Sequence, residues 1–477
     1  SILFGSHNRR DQLYDITEGD KAGYVRIIKT KSKSGDYTDG DGHTIHSAYN
    51  RDSLTGIIGI TPNKNTLYEF SFDASTGKAS YADRTMDGTQ FDKDSYNFKF
   101  EKKNISHSIQ KLEVNVSRHT IDHIMDNYSL RPLASGTMPM SMEVKRITTS
   151  GKIALDLSLS EKESASVGFD YQKNKHFGNM IMGTKNYNDK PLSADMKFTN
   201  YGIFANYRYD MSLYNRFLGG IRFDDLSVSY AKYPGREDTD KTYGGFARYE
   251  HDYSHIPVTF YLGIGHAERP ADWWERKKTG GMVIEPEKNT QLDVGWLYHT
   301  EKINSNMSLF YSNIHDFILI TDSGAAVKNI DAILYGGEAD YSYKLSPHWT
   351  ASATVSYTFG KNKTNGRALP QIPPLEATFS LKNNINKWEF GVLWRLVAAQ
   401  NRYSIGEGTE IGTDIGAAGG FGIVSLNAAY QINKEWTMAA GIDNVFDKTY
   451  AEFVSRTGTA IDTLGIPASM RVNEPGR

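Results

Sequence analysis

Apolar and polar residues alternate with a period of two along segment after segment of this chain, a pattern that suits a pleated strand with two unlike faces and little else. Ile153, Leu155, Leu157 and Leu159 lie on one side of an extended segment, with Ala154, Asp156, Ser158 and Ser160 on the other. Ala351, Ala353, Val355, Tyr357 and Phe359 alternate in the same way with Ser352, Thr354, Ser356 and Thr358. Leu112, Val114 and Val116 oppose Glu113, Asn115 and Ser117, and Phe390, Val392, Trp394 and Leu396 oppose Glu389, Gly391, Leu393 and Arg395. Further examples begin at Leu292, Val424 and Trp436.

The connections between these segments come in two sizes. Tight polar ones include Thr61-Pro-Asn-Lys-Asn65, Leu159-Ser-Glu-Lys162, Leu345-Ser-Pro-His348, Asn383-Asn-Ile-Asn-Lys387 and Ile432-Asn-Lys-Glu435. Long ones run over 118–147, 176–197, 267–288, 401–420 and 447–468. Short and long alternate in order, the signature of an up-and-down barrel with short periplasmic turns and long outer loops. The hairpins share no common sequence, which argues against a propeller or solenoid.

A soluble two-sheet assembly with one wet face would alternate too. Composition and aromatic placement favour the membrane. Apolar residues are 39% of the chain and mean hydropathy is -0.52, lean for a globular core. No run of about 18 apolar residues exists, so spanning helices are excluded while strands are not. Tyr207, Tyr209, Trp296, Tyr298, Trp349, Trp388 and Trp436 stand near segment ends, where interfacial girdles belong. The expected fold is all-β, a large antiparallel transmembrane β-barrel in the bacterial outer membrane.

Cysteine is absent, which leaves neither disulfides nor thiolate metal sites. A net charge of -2 without a basic domain argues against nucleic acid as a partner. No leader opens the chain at Ser1, so any export signal is expected to lie outside it.

Six of the thirteen methionines fall between 125 and 182, beside two histidines. They form His123-Ile-Met125, Met138-Pro-Met140-Ser-Met142 and His176-Phe-Gly-Asn-Met180-Ile-Met182. Thioether sulfur is a soft ligand and imidazole a borderline one, so the cluster reads as a copper-handling surface, for Cu(I) above all. His123 and Met125, two apart, point the same way in an extended stretch. Asp126 and Asn127 are candidates to orient the imidazole. The plainer alternatives are a solvated loop histidine, and methionines that fill gaps inside loops.

Other patterns carry less. Asp39 and Asp41 lack the spacing of a calcium loop and read as a tight turn. His43 and His46 are weak zinc candidates, better taken as polar strand ends. Gly406-Glu-Gly-Thr-Glu-Ile-Gly412 has no strand-helix setting for a dinucleotide and reads as a loop. Paired acids such as Asp224 and Asp225 suit a wet lumen, no catalytic constellation stands out, and the chain is not expected to be an enzyme.

Gly441-Ile-Asp-Asn-Val-Phe-Asp-Lys-Thr-Tyr450 resembles the penultimate-strand signature of TonB-dependent outer-membrane receptors. Ile284 to Gly295, Tyr335-Gly-Gly-Glu338 and Leu369-Pro-Gln-Ile-Pro-Pro374 are similar to barrel landmarks of that family, in the expected order. Tyr37 to Gly42, Tyr81 to Gly88, His123 to Tyr128, Met138-Pro-Met140 and Gly265 to Pro270 resemble segments of its copper-uptake group, the OprC and NosA type. The resemblance implies that residues 1–477 are the receptor barrel, of about 20–22 strands, with the plug domain and the last strand missing from this chain. It implies that His123 and Met125 complete a copper site with a Cys and a Met of the plug. It further implies copper import driven by TonB through that plug, and a monomer set in lipid and lipopolysaccharide. A receptor for a siderophore or other metal chelate, and a passive porin or adhesion barrel, are the competing readings.

Overall fold

The computed structural model describes residues 1–186, 190–279, 282–457 and 471–477. Among these residues the main sheet has 21 strands, within the expected range, and the strands pair antiparallel in chain order from Ile2–Phe4 to Thr437–Ile442. A separate two-stranded ribbon, Tyr37–Thr38 with Thr44–Ile45, sits inside the first long connection.

The alternation decides which way each strand faces. In one cross-strand row Phe70 lies opposite Phe98, and Phe98 opposite Val116. On the reverse side Asn97 donates to the Ser71 hydroxyl at 3.2 Å, and the Ser117 and Ser150 hydroxyls are 2.6 Å apart. The polar side also holds Arg222 between Asp170, at 2.7 Å, and Asp224, at 2.5 Å. The apolar side is left bare, Ile221 being 70% exposed. An uncovered apolar face is stable against lipid and not against water. Trp296, Trp349 and Trp388 lie exposed at the tight-turn end, as an interfacial girdle requires.

Strands such as Glu163–Met182, of 20 residues, are about twice the length a bilayer crossing needs. The packed core therefore lies at the long-connection end rather than in mid-sheet. Met196, Phe198, Leu226 and Val228 form one cluster with Trp273 against it, and Ile314, Leu319, Ile330 and Leu369 form another.

This overrun corrects two of the expected loops. Strands Ile109–Asp126, Met140–Ser158, Glu163–Met182 and Ser193–Asp210 occupy most of 118–147 and 176–197, leaving connections of 127–139 and 183–192. Above the bilayer neither face of a strand meets lipid, so the apolar-polar alternation that reveals a strand fades there. The long connections at 270–286 and 398–420 agree with expectation. The one expected at 447–468 lies partly outside the described residues.

Among the described residues no ladder joins Thr437–Ile442 to Ile2–Phe4. The connection after Gly23–Ser34 meets the last described residues instead. Tyr37 donates to the Asn473 carbonyl at 2.6 Å, Asn473 to the Asp39 carboxylate at 2.8 Å, Thr449 to Asp41 at 2.7 Å and the Gly476 amide to the Thr38 carbonyl at 2.8 Å.

Candidate metal site

Seven of the eight residues singled out for metal share one face of three adjacent strands. Met142 lies directly opposite Met125 on one side and Met180 on the other, and Met140 lies opposite Met182. His123 faces Val144 and His176 faces Arg146, two and four residues further along the same face. Directly opposed residues have Cβ atoms about 4.5–5.5 Å apart, within easy reach of a common centre for flexible thioether arms. The row grades from water inward, since Met182 is 56% exposed and Met125 only 6%.

His123 ends this gradient. Its ring stacks on Phe91 at 4.3 Å and 23°, and its Nε2 is buried without a hydrogen-bond partner. A buried imidazole nitrogen normally finds a donor or acceptor, so an unpartnered one could hold a metal. Gly88 makes the stack possible, because a Cβ there would fall inside the Phe91 ring.

His176 is placed differently. It stacks on Trp273 at 5.3 Å and 12° and meets the edge of Phe198. Both histidines line a cavity of 660 Å³ whose wall includes Arg146, Trp273, Trp274 and Glu410. Trp273 opens the short helix Trp273–Lys278, which is capped at Asp272: the Asp272 carboxylate accepts from the Glu275 amide at 2.9 Å and Glu275 from the Asp272 amide at 2.8 Å. Arg269 bridges Glu275 at 2.9 Å and Glu287 at 2.7 Å, Arg276 bridges Asp240, and Trp273 donates to Asp195 at 2.8 Å. The helix is thereby fixed beside both histidines in the wall of that cavity. Burial, with the nearby Asp272 carboxylate, pushes the Glu410 carboxyl up to about 8.

Two expectations need correction. The metal residues were expected in loops, but only Met138 is in one, 59% exposed, its carbonyl bonded to Asn127 at 3.1 Å. It stands apart from the sulfur row. Asp126 and Asn127 do not orient His123. Asp126 accepts from the Tyr128 and Ser129 amides, and Asn127 from the Met140 amide, so both shape the connection instead. The sulfur groups meet on neighbouring strands.

Elsewhere, Asp39 accepts from the Asp41 and His43 amides as a tight turn should. Asp39, Asp41 and His43 bring donor atoms within 4.8 Å of one another, yet Asp39 is already saturated by amides and Asn473. His46 is buried on Asp87, which also holds Arg131, and this ion cluster ties two connections together. Residues 406–412 lie in the 398–420 connection. Phe91, Trp273 and Glu410 belong to the site without a sequence signal beyond two adjacent tryptophans before a basic run.

The model of TonB dependent receptor-like β-barrels matches residues 30–445. In structure the chain is similar to the copper transporter OprC, with a TM-score of 0.96 and 36% identity over 100% of this chain and 78% of that one. The FrpB iron transporter of Neisseria meningitidis shares the fold, with a TM-score of 0.77, 15% identity, 99% of this chain and 78% of that one. The ferripyoverdine receptor of Pseudomonas aeruginosa is 24% identical over 284 residues, which are 54% of this chain and 33% of the relative. The matched stretches span a third or less of the curated relatives.

Proposed function

The chain belongs to the TonB-dependent receptor β-barrel family of Gram-negative outer membranes, and from that premise we propose that its cargo is copper, taken up as Cu(I). The observation that carries this reading is the row Met125–Met142–Met180 ending beside the unpartnered Nε2 of His123. Thioethers bind without losing a proton and discriminate against Zn(II) and Fe(III), which prefer nitrogen or oxygen. Water-exposed Met182 and Met140 would take the ion first, and buried Met125 with His123 would hold it. The likeness to a copper transporter supports the same cargo. TonB would supply energy through a plug, and the barrel would work as a monomer among lipid and lipopolysaccharide, without catalysis.

Metal and small-molecule analysis of the receptor from copper-supplemented cells tests the proposal. Stoichiometric copper without an organic chelator is the expected result; a bound chelate and no copper sinks it. That second outcome has its own support, since a cavity of 660 Å³ exceeds what a bare ion needs and a ferripyoverdine receptor is among the relatives. Steady ion conductance through the whole receptor would instead favour a passive pore.

A further inference from the structure

On the apolar side of the sheet Gly56 lies opposite Ile27 and Phe72. A Cβ at Gly56 would collide with the Phe72 ring, so that ring lies down across the glycine instead of standing off the sheet. The result is a groove of 570 Å³ walled by Val25, Ile27, Ile58, Phe70, Phe72 and Val116. Its surface is almost wholly hydrocarbon, and the polar partners of these residues point to the other face.

Arg118 stands at one corner of the groove, paired across the ladder with Tyr96. The strand Ile109–Asp126 runs toward the long connections, so Arg118 is on the outer side of Val116. Higher on the same side, Lys29 is paired with Asp52, and Lys145 with Asp122 at 2.9 Å. Arg118 has no ion pair or side-chain hydrogen bond among the described residues. A guanidinium left free beside an apolar trough, at the outer edge of the lipid-facing belt, complements a phosphate attached to an acyl chain.

We propose that this groove holds one acyl chain of a lipid A molecule from the outer leaflet, with Arg118 on its phosphate. The site is separate from the copper residues and does not depend on what the cargo is. Receptor extracted from outer membranes in mild detergent is examined by native mass spectrometry, with Arg118→Gln and Ile27→Trp beside the wild type. Ile27→Trp fills the space over Gly56, and heat-modifiable gel mobility checks that each barrel is folded. The wild type should retain one lipid A, and each folded variant should lose its occupancy about tenfold, the scale of one charge-assisted contact. Equal occupancy in both variants, a glycerophospholipid in place of lipid A, or no retained lipid would overturn the assignment.

Discussion

His123 and Met125 are two residues apart on one face, Met125 almost fully buried and His123 with its Nε2 buried and unpartnered. His123→Ala or Met125→Ala should each weaken Cu(I) binding about tenfold or more, each tenfold being about 1.4 kcal/mol. Competition titration against a Cu(I) chelator measures this, and unchanged affinity in both removes them from the site. Met142→Leu keeps the volume and deletes the sulfur, so affinity should fall while the melting temperature stays within a few degrees. Glu410 gives the pH dependence. Its carboxyl ordinarily ionises near 4.5 but keeps its proton up to about 8 in the fold. Between those values folding takes up a proton, so the stabilisation is full below about 4.5 and lost as pH rises through about 8. Hydrogen exchange in 398–420, corrected for intrinsic rate, should quicken across that window in the wild type and not in Glu410→Gln; identical profiles would contradict the assignment.

At the scale of elements, the site exists because three strands continue beyond the bilayer in unbroken register. Methionines far apart in sequence, such as Met125 and Met180, become neighbours only through Met142 between them. The helix Trp273–Lys278 is the other essential element, and at six residues it is too short to persist on propensity alone. Its capping box supplies what length does not. Asp272→Ala should cost about 1 kcal/mol locally and raise hydrogen exchange across 272–279 while the strands stay protected; unaltered exchange would mean that the salt bridges of Arg269 and Arg276 suffice. The sequence revealed the strands where lipid imposes alternation and lost them above the belt, which is why His123, Met140 and His176 were expected in loops. The chemistry of the site was legible in residue types. Its assembly was not, because cross-strand register leaves no mark on either strand alone.

Over the whole molecule, the first long connection and the last described residues clasp one another at the rim. Asp39 is central to that clasp, almost fully buried and hydrogen-bonded to Asn473. Asp39→Ala leaves the Asp41 and His43 amides and the Asn473 side chain without their acceptor, a loss of about 2 kcal/mol, and should lower the temperature of heat-induced unfolding by a few degrees. A melting curve that overlays the wild type would show that the strands hold the seam without it. What the sequence determined by itself was the two-faced strand, the order of short and long connections, the bilayer as surroundings and the presence of soft ligands, because each follows from local periodicity and side-chain chemistry. Tertiary structure alone decided which sulfurs meet, which imidazole nitrogen is left unpartnered, where the tryptophan helix sits and where the apolar wall is grooved. Those depend on register and packing between segments far apart in the chain, and no local pattern encodes them.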